Sequence, residues 1–268
     1  MKIDRDSVVA VTGASRGIGR AAAAEFAKRG AKLVLLARDA ARLEHVAQEI
    51  RAAGGDALVV ACDVSREEDC RNWVPKALAR FGKIDVLVNN AGYGHYSPVE
   101  SLPTSDLDRI FRTNLYGALW NTQAVLPQMK ERHKGHIVNV STIISIRSVP
   151  YMTAYCMTKF AMNALDEGLR IEVRPFGIDV SLVCPGLTAT DFQTNAVQAS
   201  FKPFMKSASG MSPQKVGRAI VRAVERERKR TYLTLAGKTL FCFQKVSPRF
   251  VDQIMYRMYG RKYPAPPP

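Results

Sequence analysis

The amino-acid sequence predicts an α/β protein in which a doubly wound parallel sheet of about seven strands forms the middle of three layers. Short apolar runs rich in Val, Leu and Ile alternate with longer segments of helical periodicity along most of the chain. The short runs are apolar at consecutive positions, which is typical of parallel strands that are buried on both faces by helices. A length of 268 residues and a hydrophobic content of 47% allow a core of the size that such a sheet needs.

The apolar runs and the residues that flank them predict each element in turn. Strands are expected at 7–12, 31–37, 57–62, 84–88, 136–140, 178–183 and 232–235. Helices are expected at 17–30, 39–53, 65–82, 105–130, 152–173 and 211–230. Gly30, Gly54 and Gly82 are typical of helix ends, and Ser212 followed by Pro213 is typical of a helix start.

Charge and cysteine content restrict the functional class. The net charge of +15 is compatible with nucleic acid, an anionic membrane surface or anionic ligands. No basic patch interleaved with aromatic residues is present, so we expect no nucleic-acid partner. The five cysteines contain no Cys-x-x-Cys pair, which indicates reduced thiols and neither a disulfide framework nor a metal site. No apolar run reaches the ~18 residues of a membrane span and the start lacks an apolar signal segment, so we expect a cytoplasmic protein.

A glycine-rich turn follows the first predicted strand. It reads Thr12-Gly13-Ala14-Ser15-Arg16-Gly17-Ile18-Gly19. Glycines allow the backbone to approach a phosphate closely, and the N-terminus of the next helix favours the negative charge. The spacing differs from the commoner Gly-x-Gly-x-x-Gly, and such a turn can be purely structural. Its position between a first strand and a helix nevertheless favours nucleotide binding.

Tyr155 and Lys159 stand four residues apart in a predicted helix and therefore on one face of it. A nearby ammonium favours the phenolate and lowers the tyrosine pKa towards the working range of a general acid/base. The pair alone is a weak signal, because both residues are common on amphipathic helices. Its meaning depends on the glycine turn and on the sequence Asn89-Asn90-Ala91-Gly92, which follows the fourth predicted strand.

These motifs, in this order and spacing, resemble those of the short-chain dehydrogenases/reductases, and the resemblance runs from about Val8 to Leu235. It implies a single-domain Rossmann fold that moves a hydride between a nicotinamide cofactor and a carbonyl or alcohol. It also implies that Tyr155 exchanges a proton with the substrate oxygen and that Lys159 lowers the tyrosine pKa and bonds the nicotinamide ribose. Asn114 matches the family's asparagine that supports a proton-relay water.

The chain departs from the family at the hydroxyl partner of the tyrosine. The family's serine lies 13 positions before the tyrosine, where this chain has Thr142, with Ser141 directly before it. Threonine offers the same hydroxyl, but its β-branch restricts the rotamer. We take Thr142 as the candidate and Ser141 as the alternative. A poorly oriented hydroxyl would give the alternative function, a catalytically weak or inactive nucleotide-sensing or scaffold protein of the same fold.

The resemblance places the cofactor contacts at the carboxyl ends of the strands. Beside Tyr155 and Lys159, they are Gly13, Ser15, Arg16, Gly17, Ile18, Gly19, Arg38, Asp63, Val64, Asn90, Ala91, Gly92, Pro185, Gly186, Thr188 and Thr190. Asp63 could instead cap a helix, and 185–190 could be an ordinary turn.

The second predicted strand indicates which nicotinamide cofactor is used. NAD enzymes of this type place a carboxylate at the end of this strand, whereas here Ala37 is followed by Arg38. Arg38 and Arg16 suit the 2′-phosphate of NADP(H), because guanidinium pairs well with phosphate. Asp39 follows one residue too late for the usual NAD carboxylate and leaves NAD(H) open. The sequence thus favours NADP(H) over NAD(H).

The family keeps a variable substrate lid where residues 188–211 lie. Apolar candidates for the substrate pocket occur there, around the catalytic segment and after the Asn-Ala-Gly turn. They are Tyr93, His95, Ile143, Ile144, Tyr151, Met152, Phe192, Val197, Phe201, Phe204, Met205 and Met211. Such a lining favours an apolar ketone, aldehyde, steroid-like alcohol or fatty chain.

We assign 1–235 to one nucleotide-binding domain that includes the lid, and 236–268 to a C-terminal extension with a proline-rich end. Ser247-Pro248 can begin an amphipathic helix with an apolar face made of Phe250, Val251, Ile254, Met255 and Met258. Basic residues flank this helix, so it can contact an anionic membrane, cap its own domain or pack on a sister subunit. The resemblance implies a homodimer or homotetramer.

Overall fold

The computed structural model describes residues 1–198, 210–235, 239, 243–244 and 246–259 of the chain. The strands are β1 (Val8–Thr12), β2 (Lys32–Ala37), β3 (Ala57–Ala61), β4 (Val86–Asn89), β5 (His95–Tyr96), β6 (Gly135–Val140), β7 (Ile178–Cys184), β8 (Val197–Gln198) and β9 (Arg230–Tyr232). The α-helices are α1 (Gly17–Ala27), α2 (Ala40–Ala52), α3 (Glu67–Phe81), α4 (Thr104–Phe111), α5 (Gly117–Glu131), α6 (Thr153–Glu172), α7 (Pro213–Glu225) and α8 (Pro248–Tyr259).

Seven of these strands form one parallel sheet in the order β3-β2-β1-β4-β6-β7-β9, which confirms the predicted fold class. The order of the strands reverses direction between β1 and β4, and doubly wound sheets bind ligands at such a point. The short strands β5 and β8 pair with each other in a separate two-stranded parallel sheet.

Two helical layers cover the sheet, as the alternation along β1 shows. Val9 and Val11 belong to the core cluster formed with α1, α2 and α7, whereas Val8 and Ala10 belong to the cluster formed with α3, α5 and α6. Trp73 on α3 is completely buried in the second cluster. The consecutive apolar residues of the strands are therefore explained by burial on both faces.

Two element boundaries differ from the sequence prediction for a reason that the structure shows, and a third is as predicted. The last strand lies at Arg230–Tyr232 and not at 232–235, because these residues pair with Leu182, Val183 and Cys184 of β7. Helix α3 begins at Glu67 and not at 65, because Asp63 holds the Ser65 amide and hydroxyl in the preceding turn. The start of α7 is as predicted, since Ser212 caps it and Pro213 is its first residue.

The long helix predicted at 105–130 is interrupted. A π-helical turn, Arg112–Tyr116, separates α4 from α5. The wider turn places Asn114 completely inside the protein. Such π turns occur often at functional sites. One isolated π turn changes the hydrophobic periodicity of a helix too little to be predicted from the sequence.

In the described part of the chain, no helix combines the length and the apolar character that are needed to cross a bilayer. The C-terminal extension contributes α8, which packs on the domain through buried Val251 and through an ion pair between Asp252 and Arg147. The predicted helix is therefore present, although its apolar residues do not share one buried face.

The contact between α1 and α7 depends on a glycine. A Cβ on Gly217 would lie 2.8 Å from the backbone carbonyl of Ala21. Gly217→Ala should therefore lower the free energy of unfolding by about 1–2 kcal/mol, because overpacking outweighs the gain in helix propensity. Gly168→Ala on α6 is the matched control, since its Cβ would meet no atom closer than 3.8 Å. That variant should gain up to about 1 kcal/mol in urea denaturation; equal effects at both positions would contradict the packing argument.

Candidate active site

A cavity of about 970 Å³ opens at the carboxyl ends of the sheet strands. Its walls come from the turn after β1, the ends of β2 and β3, the turn after β4, the segment between β6 and α6, and the loop after β7. These segments are distant in sequence, and the parallel sheet brings them to one edge.

The glycine turn after β1 is shaped by close backbone contacts. Gly13 and Gly17 adopt positive φ angles of 66° and 54°, a region that glycine enters without strain. A Cβ on Gly13 would lie 2.9 Å from the Asn90 amide nitrogen, and one on Gly19 would lie 2.2 Å from the Gly13 carbonyl oxygen. The turn therefore has no room for side chains at these positions.

The turn after β4 is fastened to the glycine turn by Asn90 and Thr12. The Asn90 side chain donates to the Thr12 carbonyl at 2.9 Å, and the Thr12 hydroxyl accepts from the backbone amides of Asn90 and Ala91 at 2.9 and 3.0 Å. Asn90 thus fastens the turn after β4 to the glycine turn.

The N-terminus of α1 faces the cavity with its backbone amides uncapped by a side chain. Its N-cap residue, Arg16, makes no side-chain capping bond, and the first turn contains no acidic residue. Unpaired amides and the helix dipole favour an anion such as a phosphate at this position.

Arginines surround the end of the cavity near β2. Arg38 is exposed and forms no hydrogen bond or ion pair among the described residues, whereas Arg16 donates to Asn195 at 2.8 Å. Asp39 is already engaged, because it caps α2 by accepting from the Arg42 amide at 3.0 Å and pairs with the Arg42 side chain. The free positive charge at this strand end therefore belongs to Arg38.

Tyr155 lines the cavity and is itself buried. Burial raises the pKa of the phenol above its ordinary value, and a hydrogen bond with the Thr142 side chain acts in the opposite direction. The sequence predicted that Lys159 lowers the pKa of Tyr155, but in the structure the largest effect on this pKa is burial, which raises it. Tyr155 therefore holds its proton at neutral pH.

The two candidate hydroxyls point to different partners. Thr142 caps a short 3₁₀ turn and hydrogen-bonds Tyr155, whereas the Ser141 hydroxyl donates to Asn163 at 3.1 Å. Asn163 in turn donates to the Ser145 carbonyl, so Ser141 belongs to a network that stabilises the segment. The structure thus brings Thr142, and not the Ser141 hydroxyl, to the tyrosine.

Lys159 lies beneath the tyrosine and is buried. Its ammonium donates to the Val140 carbonyl at 2.9 Å and lies 5.9 Å from the centre of the Tyr155 ring. Burial lowers the pKa of Lys159 to about 8, so the group is still mostly charged at pH 7. A Cβ on Gly92 would lie 3.8 Å from this ammonium, which places the turn after β4 directly against it.

Asn114 is fully buried and does not line the cavity. Its amide accepts from the Tyr93 backbone nitrogen at 3.0 Å and donates to the Tyr93 carbonyl at 2.9 Å. The same amide donates to Thr158, whose hydroxyl donates to the Tyr155 carbonyl at 2.7 Å. Asn114 therefore joins the turn after β4 to the helix that carries Tyr155 and Lys159.

Most residues predicted from the sequence converge on the cavity. Gly19 and Asn114 pack behind it. The predicted residues that line it are Gly13, Ser15, Arg16, Gly17, Ile18, Arg38, Asp63, Val64, Asn90, Ala91, Gly92, Ser141, Thr142, Tyr155, Lys159, Pro185, Gly186, Thr188 and Thr190.

The apolar end of the cavity contains half of the predicted pocket residues. Those that line it are Tyr93, Ile143, Ile144, Met152, Phe192 and Val197. His95, Tyr151 and Met211 do not line it, and His95 is buried against Asp106 at 3.1 Å. Phe201, Phe204 and Met205 lie outside the described residues.

Three arginines in the wall are absent from the sequence prediction, namely Arg42, Arg109 and Arg112. The last two precede Asn114 on the same predicted helix, so their proximity to the motif was a usable signal. No group of three or more potential metal-binding side chains occurs among the described residues.

The cavity fits a nicotinamide adenine dinucleotide. Glycines make room for a phosphate at an uncapped helix N-terminus, and a buried tyrosine and lysine face the other end. The fold and this site define a nucleotide-dependent oxidoreductase of the Rossmann type.

Comparisons with known proteins specify the family. The family model for short chain dehydrogenases matches residues 7–200. A curated relative, dehydrogenase/reductase SDR family member 7B of Danio rerio, is 34% identical over 245 residues, which cover 88% of this chain and 79% of the relative.

Two solved structures are similar over most of their length. An alcohol dehydrogenase from Thermococcus sibiricus complexed with 5-hydroxy-NADP is 31% identical with a TM-score of 0.75, covering 85% of this chain and 95% of its own. A short chain dehydrogenase/reductase from Burkholderia phymatum in complex with NAD is 26% identical with a TM-score of 0.84, covering 94% and 96%.

The chain belongs to the short-chain dehydrogenase/reductase family. It is an oxidoreductase that acts on CH–OH or C=O groups with a nicotinamide cofactor. One of these similar structures holds an NADP-type cofactor and the other holds NAD, so membership of the family does not determine which cofactor this chain prefers.

Proposed function

We propose that the protein is an NADP(H)-dependent reductase that converts the carbonyl of an apolar ketone or aldehyde into an alcohol, or catalyses the reverse. The observation that carries this proposal is the buried Tyr155, hydrogen-bonded to Thr142 and packed over Lys159 at the inner end of the cavity. When bound, the cofactor supplies or accepts the hydride.

The residues around Tyr155 have complementary roles in this proposal. Tyr155 is protonated at neutral pH and donates its proton to the carbonyl oxygen during reduction. Thr142 orients the phenol and donates to the same oxygen as negative charge develops there. Lys159 holds a positive charge below the phenol and favours the phenolate that remains after proton transfer.

Preference for NADP(H) is supported by the end of β2. Arg38 is available for a 2′-phosphate, while Asp39 is committed to the cap of α2 and to Arg42. A carboxylate held in this way is poorly placed to bind ribose hydroxyls. Arg16, which bonds Asn195 across the cavity mouth, is the second candidate for the phosphate.

An apolar substrate is supported by the wall opposite the catalytic helix. The Phe192 ring lies edge-on to Tyr155, with ring centroids 5.3 Å apart and planes at 63°. This position requires Gly94, because a Cβ there would lie 2.9 Å from the Phe192 ring. We infer that Phe192 forms the wall that selects the shape of the substrate beside Tyr155.

Assembly stays a prediction. The family resemblance implies a homodimer or homotetramer.

The central test is an activity screen with NADPH and a panel of apolar ketones and aldehydes. Tyr155→Phe should lower kcat/KM by about 10³-fold and Thr142→Ala by about 10²-fold, because each removes a group that acts at the substrate oxygen. Ser141→Ala is the matched control and should have a much smaller effect, since its hydroxyl bonds Asn163.

NADPH binding, followed by fluorescence, should survive all three substitutions. Undiminished turnover in Tyr155→Phe would refute the mechanism. Tight NADPH binding without turnover of any carbonyl by the unmodified protein would favour the nucleotide-sensing alternative.

Cofactor choice is tested with Arg38→Gln. The variant should bind NADPH about tenfold or more weakly and NADH almost unchanged, because only NADPH offers the 2′-phosphate. Arg20→Gln on α1 is the control, since Arg20 is ion-paired with Glu49 and does not line the cavity. Equal weakening of both nucleotides in fluorescence titrations would show that Arg38 does not discriminate between them.

The Phe192 wall is tested with a double-mutant cycle. Phe192→Ala should lower kcat/KM for small ketones about tenfold and favour bulkier ones, because the substrate loses a packing surface. Gly94→Ala should act in the same direction by displacing the ring. In the Phe192→Ala background the Gly94 change should then have little further effect, and fully additive effects would contradict the proposed contact.

A further inference from the structure

Helix α8 carries an exposed apolar stripe that the reaction does not use. Phe250, Ile254 and Met258 on α8, and Val246 just before it, follow one another at four-residue intervals; Val246 is 83% exposed and the other three are 54%, 39% and 52% exposed. Residues at this spacing lie along one side of a helix. Large apolar side chains in a contiguous exposed row are typical of an interaction surface.

The stripe adjoins the side by which α8 packs on the domain. Val251 is only 3% exposed and Met255 is half-buried, so these two residues form the docking side. Asp252 pairs with Arg147 of the catalytic domain. The helix is therefore held in place by Val251, Met255 and Asp252, while Phe250, Ile254 and Met258 beside them stay largely exposed.

Positive charge accompanies the stripe. Arg249 and Arg257 are exposed on α8, and the helix's one acidic residue, Asp252, is neutralised by Arg147. The region 215–262 contains thirteen basic and three acidic residues. A surface with this charge attracts an anionic partner.

We propose that α8 is a docking surface for an anionic lipid bilayer. The apolar row would enter the boundary between headgroups and acyl chains, while Arg249 and Arg257 contact the lipid phosphates. A second copy of the chain is a poorer occupant, because a two-fold contact through this row would bring like-charged arginines together on a protein of net charge +15. The inference is independent of the proposed substrate.

The test uses the full chain and sedimentation with vesicles of phosphatidylcholine alone or with about a third phosphatidylserine. The protein should sediment with the anionic vesicles, remain free of the neutral ones, and dissociate as salt rises. Arg249→Gln combined with Arg257→Gln should weaken partitioning about tenfold or more.

Phe250→Ser combined with Ile254→Ser should also weaken partitioning about tenfold or more, because buried apolar area is lost. The matched control is Ile171→Ser, which removes a 67% exposed apolar residue from α6 and should leave partitioning unchanged. Circular dichroism and NADPH binding report whether each variant is folded.

Three results would overturn the proposal. The first is no binding to anionic vesicles, and the second is an equal loss in the Ile171 control. The third is a dimer of the unmodified protein in sedimentation velocity that the Phe250→Ser, Ile254→Ser variant no longer forms, while neither protein binds vesicles. That result would identify the stripe as a contact between copies of the chain.

Discussion

The close approach of the turns after β1 and β4 is the constraint on which the site depends. The two turns meet where the sheet order reverses, and they can meet only because Gly13 and Gly19 carry no side chain. Thr12 and Asn90 then satisfy the backbone groups that this approach would otherwise leave unpaired. The uncapped N-terminus of α1 and the Gly92 turn against Lys159 both follow from this arrangement.

Burial sets the chemistry at the other end of the cavity. Removing Tyr155 and Lys159 from water raises the pKa of the phenol and lowers the pKa of the ammonium, so each group moves towards its neutral form. Thr142 opposes the first shift through its hydrogen bond, and the Phe192 ring covers the phenol from the side of the lid. Tyr155 therefore stays protonated at neutral pH, which suits a group that donates a proton during reduction of a carbonyl.

Buried amides and hydroxyls hold this arrangement in place over long sequence distances. Asn114 joins the turn after β4 to the catalytic helix through Tyr93 and Thr158, and Asn163 joins that helix to the segment of Ser141. Each is a side chain that a sequence pattern shows only as an ordinary polar residue. Their partners lie 21 to 44 residues away, so their importance follows from the tertiary fold.

The sequence by itself determined the doubly wound fold, the glycine turn and the placement of Tyr155 and Lys159 on one helix face, because periodicity and glycine geometry are local properties. It could not locate the π turn at Arg112–Tyr116 or shift the last strand to Arg230–Tyr232, because packing and strand pairing decide such boundaries. Only the tertiary structure directed the Thr142 hydroxyl to Tyr155 and that of Ser141 to Asn163, and it alone decided that burial has the largest effect on the tyrosine pKa. These outcomes depend on neighbours far apart in the chain and on the exclusion of water.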